Sequence, residues 1–316
     1  MKILCIGEAL IDMICTNKGM TLAEGSDFLK KTGGAPTNVA AAIAALGGEV
    51  ELAAKVGKDP FGKQLIQTME SFGVGTHAML EDPHHFTTFA FVSLMHDGER
   101  DFVFNRGADG QLSIDDVDAI NLNNVGIIHF GSATGFLPGP LQAAYLHLLQ
   151  KALHHKIYIS FDPNYRHLLF PNNTDSFVSQ SWHFLRNCNF FKVSDEEAML
   201  LTKTTTLEAA TAFLLKETTG VFAITLGKDG TLLGLNGKQY IIESIPVKPV
   251  DTTGAGDAFV GAVLYQLSHL NGTTFQQLSL DEWNKIILNA NKAGARTCEY
   301  MGAMEAFKYL NNQIFQ

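Results

Sequence analysis

Residues 249–262 read PVDTTGAGDAFVGA, the most informative stretch of the chain. An extended segment leads through a glycine-rich turn into an apolar helix, and two glycines let the backbone pack closely around a ligand. The N–H groups of Gly254, Ala255 and Gly256 are then expected at a helix N-terminus, which favours a bound anion. Asp257 lies in the first helical turn, where a carboxylate can accept a proton. The alternative is an ordinary tight turn and helix cap, but glycine loops with an upstream Asp-Thr-Thr are rarer than glycine loops in general.

Around this segment, apolar strand-like runs alternate with helix-like stretches. Strands are predicted at 2–7, 51–57, 125–131, 156–164, 189–194, 221–227 and 229–235, and helices at 36–47, 61–74, 139–155, 205–218, 254–270 and 284–299. Such alternation predicts an α/β fold, with a mostly parallel sheet and helices on both of its faces. Ligands of such sheets bind outside the carboxyl ends of the strands.

One part of the chain departs from this alternation. Residues 86–105 alternate in hydrophobicity around Asp97-Gly98, a dipeptide typical of β-hairpins. A second strand pair is predicted within residues 11–32. We therefore expect a small sheet that projects from the main body as a lid, built from about 11–32 and 86–108. No linker or internal repeat interrupts the sequence, so residues 1–316 are expected to form a single domain.

Composition excludes several classes of protein. The 316 residues are 46% hydrophobic and 17% charged, which argues against collagen, coiled coils and disorder. The net charge of −9 argues against nucleic acid and anionic membranes as partners. Four cysteines lie far apart without a CxxC pair, which fits reduced thiols in a cytosol. The N-terminal apolar run is broken by Glu8 and Asp12, so it predicts neither a signal peptide nor a membrane span.

Three further segments place polar residues after predicted strands or at a helix start. Gly33-Gly34 with Asn38 would allow close backbone approach and offer an amide to hydroxyl groups, or would form a plain first turn. Arg166, in Asp162-Pro-Asn-Tyr-Arg, could bind a phosphate or form a structural ion pair. The segment from Thr225 to Gly230 would read as a hairpin turn by itself.

Other patterns carry little weight. Residues 57–64 (GKDPFGKQ) nearly match a phosphate-binding loop, but Gln64 replaces the hydroxyl residue and Pro60 removes one N–H. His84-His85 has no partner at ligand spacing in the sequence. Adjacent glutamates such as Glu196 and Glu197 diverge on a helix, so they are not expected to serve one centre.

Taken together, these segments resemble the ribokinase-like (PfkB) carbohydrate kinases, and among them the bacterial fructokinases. The resemblance spans nearly the whole chain and rests on GEALIDM, GGAPTNVAAAIAALGG, FVFNRGAD, SFDPNYR and DTTGAGDAF, at residues 7–13, 33–48, 102–109, 160–166 and 251–259. It implies a three-layer α/β/α fold with a small lid sheet, and ATP-dependent phosphorylation of a sugar hydroxyl.

The resemblance also implies roles for individual residues. Asp257 would be the catalytic base, with an anion hole at Gly254, Ala255 and Gly256 and with Arg166 near the transferred phosphate. The sugar would lie among Asp12, Gly33, Gly34, Asn38, Arg106, Asp109 and Asp257. The nucleotide would contact Ser194, Thr225, Gly227, Gly230, Gly254, Gly256 and Asn291, the last near the adenine. A potassium ion would be held by Asp251 and by backbone oxygens near Thr253, Thr297 and Gly302.

The sequence departs from the family pattern in one place. Ser194-Asp-Glu-Glu197 stands where the family often has Asn-x-x-Glu. Magnesium is therefore expected to be held through waters and ATP phosphates, with Glu197 contributing through water.

Two alternatives to a fructokinase remain open at this stage. The first is a kinase of the same fold that acts on 2-keto-3-deoxygluconate, ribose or an aminoimidazole riboside. The second is a catalytically silent sugar-binding regulator, although such a protein has no chemical need for Asp257. A lid with an exposed apolar face also predicts a homodimer.

Overall fold

The chain forms two separate β-sheets, the larger of which is covered by helices. The computed structural model describes residues 1–96, 100–270 and 277–316. The strands, in chain order, are β1 (Lys2–Ile6), β2 (Leu10–Cys15), β3 (Phe28–Gly33), β4 (Val50–Gly57), β5 (Met79–Asp82), β6 (Phe89–Leu94), β7 (Arg100–Asn105), β8 (Val125–Phe130), β9 (Tyr158–Phe161), β10 (Phe190–Ser194), β11 (Val221–Thr225), β12 (Thr231–Leu235) and β13 (Lys238–Ile242). The helices are α1 (Ala35–Ala45), α2 (Pro60–Phe72), α3 (Ile114–Asp118), α4 (Pro140–His154), α5 (Thr174–Leu185), α6 (Asp195–Thr202), α7 (Leu207–Glu217), α8 (Ala255–Ser268), α9 (Leu280–Cys298) and α10 (Ala303–Phe307).

The larger sheet has nine strands in the order β13-β12-β11-β10-β9-β8-β1-β4-β5. Seven neighbouring strands run parallel: β11, β10, β9, β8, β1, β4 and β5. Strands β12 and β13 extend the sheet antiparallel at the β11 edge. The chain begins in the middle of the sheet at β1, builds outward through β4 and β5, and then returns to β8 on the other side. The direction of winding therefore reverses between β1 and β8, where α/β sheets bind their ligands.

Helices cover both faces of this sheet and create two hydrophobic cores. One core joins the sheet to α1, α2, α8, α9 and α10, with Trp283 among its largest buried side chains. The other joins it to α3, α4, α5, α6 and α7 and contains a cluster of buried aromatic rings. The predicted layers of helix, sheet and helix are thus present.

Small residues bring helices α1 and α8 into close contact. A Cβ added at Gly261 of α8 would lie 2.8 Å from the Cβ of Ala42 in α1. One helical turn earlier on each helix are Asp257 and Asn38, because residues four apart share a helix face. The alanine-rich sequence of α1 therefore positions two polar side chains of the site.

The second sheet has four strands in the order β3-β2-β6-β7. Its register places Asp12 opposite Lys31, and Ile14 opposite Leu29. Since directly opposed residues share a face, these four side chains lie on one side of the sheet. Its strands match the two segments proposed from the sequence to within one residue at each end of 11–32, and β6 and β7 lie inside 86–108. The predicted Asp97-Gly98 turn lies outside the described residues.

The predicted helices agree with the structure to within a few residues. Two capping boxes mark helix starts that the sequence analysis did not predict. Helix α9 begins at Leu280 rather than at 284, because Ser279 and Glu282 form a capping box. Helix α6 was not predicted, although Ser194 and Glu197 form the same motif there. Among the described residues, no helix is long and apolar enough to cross a membrane.

Candidate active site

A buried tyrosine bridges the chain at the ends of β1 and β8, the edge of the sheet where the ligand crevice is expected. The Tyr145 phenol donates to the Ile6 carbonyl at 3.0 Å and accepts from the Ser132 N–H at 2.8 Å. Ile6 ends β1 and Ser132 lies two residues after β8, so the buried phenol satisfies one backbone group from each segment where it leaves the sheet. Polar residues follow the ends of the neighbouring strands and face the same edge of the sheet.

Asp257 lies in the first turn of α8, as the sequence predicted. Its Oδ2 accepts a hydrogen bond of 2.8 Å from the Asn38 side-chain amide. Burial raises the pKa of Asp257 to about 6, and the charge of Asp162 raises it as well. The Asn38 hydrogen bond and the charges of Arg166 and Lys192 act in the opposite direction. The carboxyl group is therefore poised to exchange a proton near neutral pH.

The turn before α8 has the backbone that its glycines predict. Gly254 has a φ of 82°, and a side chain there would overlap Ala303. The Ala255 N–H donates to the Thr252 carbonyl at 3.2 Å. One of the three N–H groups expected in an anion hole is thus engaged within the turn itself. Gly256 and Asp257 place their N–H groups in the first turn of the helix.

Asp12 and the glycine pair at the end of β3, Gly33 and Gly34, form the other wall of the crevice. Side chains at Gly33 and Gly34 would overlap Asp12 and the Glu8 carbonyl respectively, and Gly34 has a φ of 105°. Burial raises the pKa of Asp12 to about 6, while the charge of Arg166 lowers it. The guanidinium of Arg166 is exposed and bonds only the neighbouring Tyr165 carbonyl at 3.3 Å among the contacts described. Arg166 therefore influences both carboxyl groups of the crevice, Asp12 and Asp257.

Glu8 supports this wall from behind and was not singled out by the sequence. Its carboxylate accepts from the Ser132 and Thr134 hydroxyls and from the Ala35 N–H, the last at 3.2 Å. Burial raises the pKa of Glu8 to about 7, although the Ser132 hydrogen bond lowers it. This side chain fixes the start of α1 against the loop that follows β8.

Arg106 and Asp109 lie in a network of their own. The Arg106 guanidinium donates to the Pro138 and Thr134 carbonyls at 2.7 and 3.2 Å, and its Nε lies 3.6 Å from Asp109 Oδ2. Asp109 is fully buried and accepts from the Thr88 hydroxyl. The structure thus uses these residues to join the end of β7 to the loop after β8, and their predicted sugar contacts remain a prediction.

Apart from the glycines before α8, the predicted nucleotide residues lie in three places. Ser194 and Glu197 cap α6, and Glu197 also accepts from the Tyr165 N–H at 2.7 Å. Asn291 accepts from Thr231 at 2.7 Å and donates to the Glu243 carbonyl at 2.9 Å, which ties α9 to the sheet. Thr225, Gly227 and Gly230 lie at and just after the end of β11, with positive φ at both glycines.

Two of the residues predicted for a potassium ion, Thr253 and Gly302, are hydrogen-bonded to a third, Asp251. Its Oδ1 accepts from the Thr253 N–H and hydroxyl at 3.0 and 2.7 Å, and its Oδ2 accepts from the Gly302 N–H at 2.8 Å. These hydrogen bonds bring the loop around Asp251 close to Gly302. Backbone carbonyl oxygens of two such loops are suitable ligands for a potassium ion. Thr297 is buried and donates to the Ala293 carbonyl at 2.9 Å. In the described parts of the chain, no cluster of three His, Cys, Asp or Glu side chains could hold a metal ion.

The loop that resembles a phosphate-binding pattern has an internal anion. Asp59 accepts from the N–H groups of Phe61 and Gly62, both at 2.9 Å, and from the Thr87 N–H at 2.8 Å. The backbone N–H groups that could bind a phosphate here are therefore already hydrogen-bonded to the Asp59 carboxylate. The His84-His85 pair has a carboxylate partner that the sequence analysis did not expect, because His85 Nδ1 lies 3.2 Å from Asp82 Oδ1. The same oxygen accepts from the backbone N–H groups of both histidines.

Solved sugar kinases share this architecture. Fructokinase from Xylella fastidiosa with bound ATP superimposes with a TM-score of 0.87 at 28% identity, covering 99% of this chain and 96% of that one. A fructokinase double mutant from Vibrio cholerae, solved with fructose, ADP and a potassium ion, gives 0.83 at 28% identity over 99% and 96%. The ribokinase-like fold predicted from the sequence is confirmed.

Sequence relatives agree with the structural ones. Fructokinase-1 from Zea mays is 34% identical over 305 residues, which cover 96% of this chain and 93% of the maize protein. The model of the pfkB family carbohydrate kinases matches residues 1–308. The chain belongs to this family and is a sugar kinase.

Proposed function

We propose that the protein transfers the γ-phosphoryl group of ATP to a hydroxyl of fructose. The observation that carries this proposal is the hydrogen bond between Asn38 and Asp257 at the N-terminus of α8. Asp12 supports it, because its carboxyl group lies against Gly33, just before the helix that carries Asn38. The similar proteins named above are fructokinases, and this supports fructose among small sugars. A hydroxyl placed against Asp257 would lose its proton to the carboxylate while its oxygen attacks phosphorus in line with the departing ADP.

Asp12, Gly33, Gly34 and Asn38 would contact the sugar, since Asn38 is bonded to Asp257 and Asp12 lies against Gly33. The N–H groups at the start of α8 would stabilise negative charge on the transferring group. Arg166 is exposed and without an ion pair among the described contacts, so it is available to a phosphate. Magnesium would bind mainly to ATP oxygens and water, and Glu197 would act on it only through water.

A potassium ion is also part of the proposal. The loops joined by Asp251 would hold it near the N-terminus of α8, where it would supply positive charge beside the phosphates. Activity in potassium chloride should exceed activity in tetramethylammonium chloride at equal ionic strength. Equal activity in the two salts would remove potassium from the mechanism.

The small sheet is proposed to act as a lid and as a dimer contact. The face that carries Asp12 also exposes Ile14, Leu29 and Leu94, at 39%, 45% and 59% of their surfaces. A second copy would cover this apolar face. Light scattering should give a dimer for the wild type and a monomer for Leu29→Lys. Val103→Lys, on the opposite face of the sheet, is the matched control and should remain a dimer.

The deciding experiment is an assay of ADP release with ATP, magnesium and potassium. Its panel contains fructose, ribose, glucose, 2-keto-3-deoxygluconate and an aminoimidazole riboside. A preference for fructose in kcat/KM would support the proposal, and a preference for another sugar would replace the substrate. Absence of ADP release with folded protein that still binds a sugar would favour a silent binder.

We also propose a cytosolic location, since all four cysteines are free thiols.

A further inference from the structure

Lys192 is a buried charge that the proposed mechanism has not yet used. It lies in β10, whose sequence FFKVS is otherwise uncharged, and its side chain is 12% exposed. Its Nζ lies 3.2 Å from Oδ2 of Asp162, which follows β9 and is 3% exposed at its side chain. A lysine is rarely placed this deep unless its charge is needed there.

The ammonium group also lies against the turn that begins α8. A Cβ at Gly256 would be 3.3 Å from Lys192 Nζ and 3.7 Å from its Cε. Gly256 therefore permits the close approach of a cation to the backbone beside Asp257. The N–H groups of this turn and the Lys192 ammonium line one corner of the crevice.

The surrounding charges keep Lys192 protonated. Burial alone lowers the pKa of this lysine, but the charges of Asp162, Glu197 and Asp257 raise it above its usual value. Three carboxylates thus act on one buried ammonium. Glu197 is occupied by the N–H groups of Ser194 and Tyr165, and Asp162 accepts only one of the three ammonium protons among the contacts described. Lys192 retains donors for a further anion.

We propose that Lys192 binds a non-bridging oxygen of the phosphoryl group that is transferred, with Asp162 holding the ammonium in place. This inference rests on the proposed kinase function and deepens it. In the reaction, the sugar oxygen forms a bond to the γ-phosphorus, and its proton passes to Asp257. The bond from phosphorus to the β,γ-bridging oxygen breaks, and its electron pair leaves with ADP. Lys192 stays protonated throughout and stabilises charge without transferring a proton.

The kinetic test uses Lys192→Met, Asp162→Asn and the double variant, with Lys203→Met as the control because that lysine is 66% exposed. We expect Lys192→Met to lower kcat by about 10²–10³-fold, the usual loss for one donor to transition-state charge. The KM for fructose should change by less than about threefold, since the sugar contacts are untouched. Lys203→Met should match the wild type.

The double variant separates catalysis from simple charge balance, because it removes both members of the buried ion pair. If Lys192 only neutralises Asp162, the double variant will regain the kcat of Asp162→Asn, and the proposal is wrong. If Lys192 binds the phosphoryl group, the double variant will remain as slow as Lys192→Met. Melting temperatures of all variants establish that the compared proteins are folded.

A binding experiment distinguishes failure of this inference from failure of the proposed function. Calorimetry with ADP and with a non-hydrolysable ATP analogue, both with magnesium, isolates the contribution of the γ-phosphate. Lys192→Met should weaken binding of the analogue by about tenfold more than binding of ADP, as expected for a lost charge-assisted hydrogen bond. Equal weakening of the two would overturn the role of Lys192 even if the wild type phosphorylates fructose. A selective loss with a wild type that phosphorylates no sugar would overturn only the proposed function.

Discussion

The side-chain amide of Asn38 donates a hydrogen bond of 2.8 Å to the Asp257 carboxylate, across 219 residues of sequence. The contact exists because Ala42 and Gly261, one turn further along α1 and α8, let the two helices approach closely. The N-terminal turns of α1 and α8, each of which resembles an ordinary helix start in the sequence, therefore lie side by side in the candidate site. In the proposed function, this pair would connect the residues around the sugar to the group that takes its proton.

Removal of the base should stop chemistry without disturbing the fold. Asp257→Asn is nearly isosteric and keeps a partner for Asn38, but it cannot accept a proton. We expect kcat to fall by about 10²–10⁴-fold, the usual contribution of general-base catalysis. ADP-release kinetics measure this, and an unchanged melting temperature serves as the control. Turnover close to that of the wild type would show that another group is the base.

The same contact predicts a pH dependence. The pKa of Asp257 is about 6 and its carboxylate form is the active one, so kcat/KM should fall as the pH drops through 6. Asn38→Ala removes a hydrogen bond that lowers this pKa, so the acid limb should move upward by about one pH unit. Gln67→Ala, an exposed amide on α2, is the control. An acid limb unmoved by Asn38→Ala would instead point to Asp12, whose pKa is also about 6.

Glu8 should make the protein less stable as the pH rises. Its pKa is about 7 when folded and near 4.5 when unfolded, so the folded state binds the proton more tightly. The associated stability is present below about pH 4.5, is lost as the pH rises through 7, and amounts to about 3 kcal/mol at most. Urea unfolding at pH 5 and pH 7.5 should show a smaller difference for Glu8→Gln than for the wild type. Glu49→Gln, at an exposed position, should leave this difference in unfolding free energy unchanged. A difference in Glu8→Gln as large as that of the wild type would show that Glu8 is not its source.

Asp59 should matter for stability and not for nucleotide binding. Asp59→Ala removes the cap of α2, which costs about 0.5–2 kcal/mol in unfolding free energy. The KM for ATP should stay within about twofold of the wild type, because the loop already contains its own anion. Lys63→Ala, at the lysine position of the near-match, should also leave this KM unchanged. A large rise in KM for either variant would mean that residues 57–64 do contact ATP.

Local patterns predicted much of this molecule, because they reflect local physics. The turn at Gly254 and the helix after it follow from glycine freedom and an apolar run, and the structure has both. The importance of Lys192 could not be foreseen in the same way. Its partners Asp162, Glu197 and Gly256 come from three other segments, and only the parallel order of β9 and β10 and the position of α8 bring them together. Arg106 is similar, since its carbonyl partners are about 30 residues away.

The Tyr145 phenol between Ile6 and Ser132 has a consequence for how the protein meets its ligands. The backbone groups of Ile6 and Ser132 have their hydrogen bonds satisfied by Tyr145 within the protein. This part of the site therefore needs no ligand to take its shape. The ordering entropy of this part is incurred during folding, so binding need not supply it again. If the four-stranded sheet acts as the proposed lid, ligand-dependent rearrangement should concentrate there, and its opening would limit how fast product leaves.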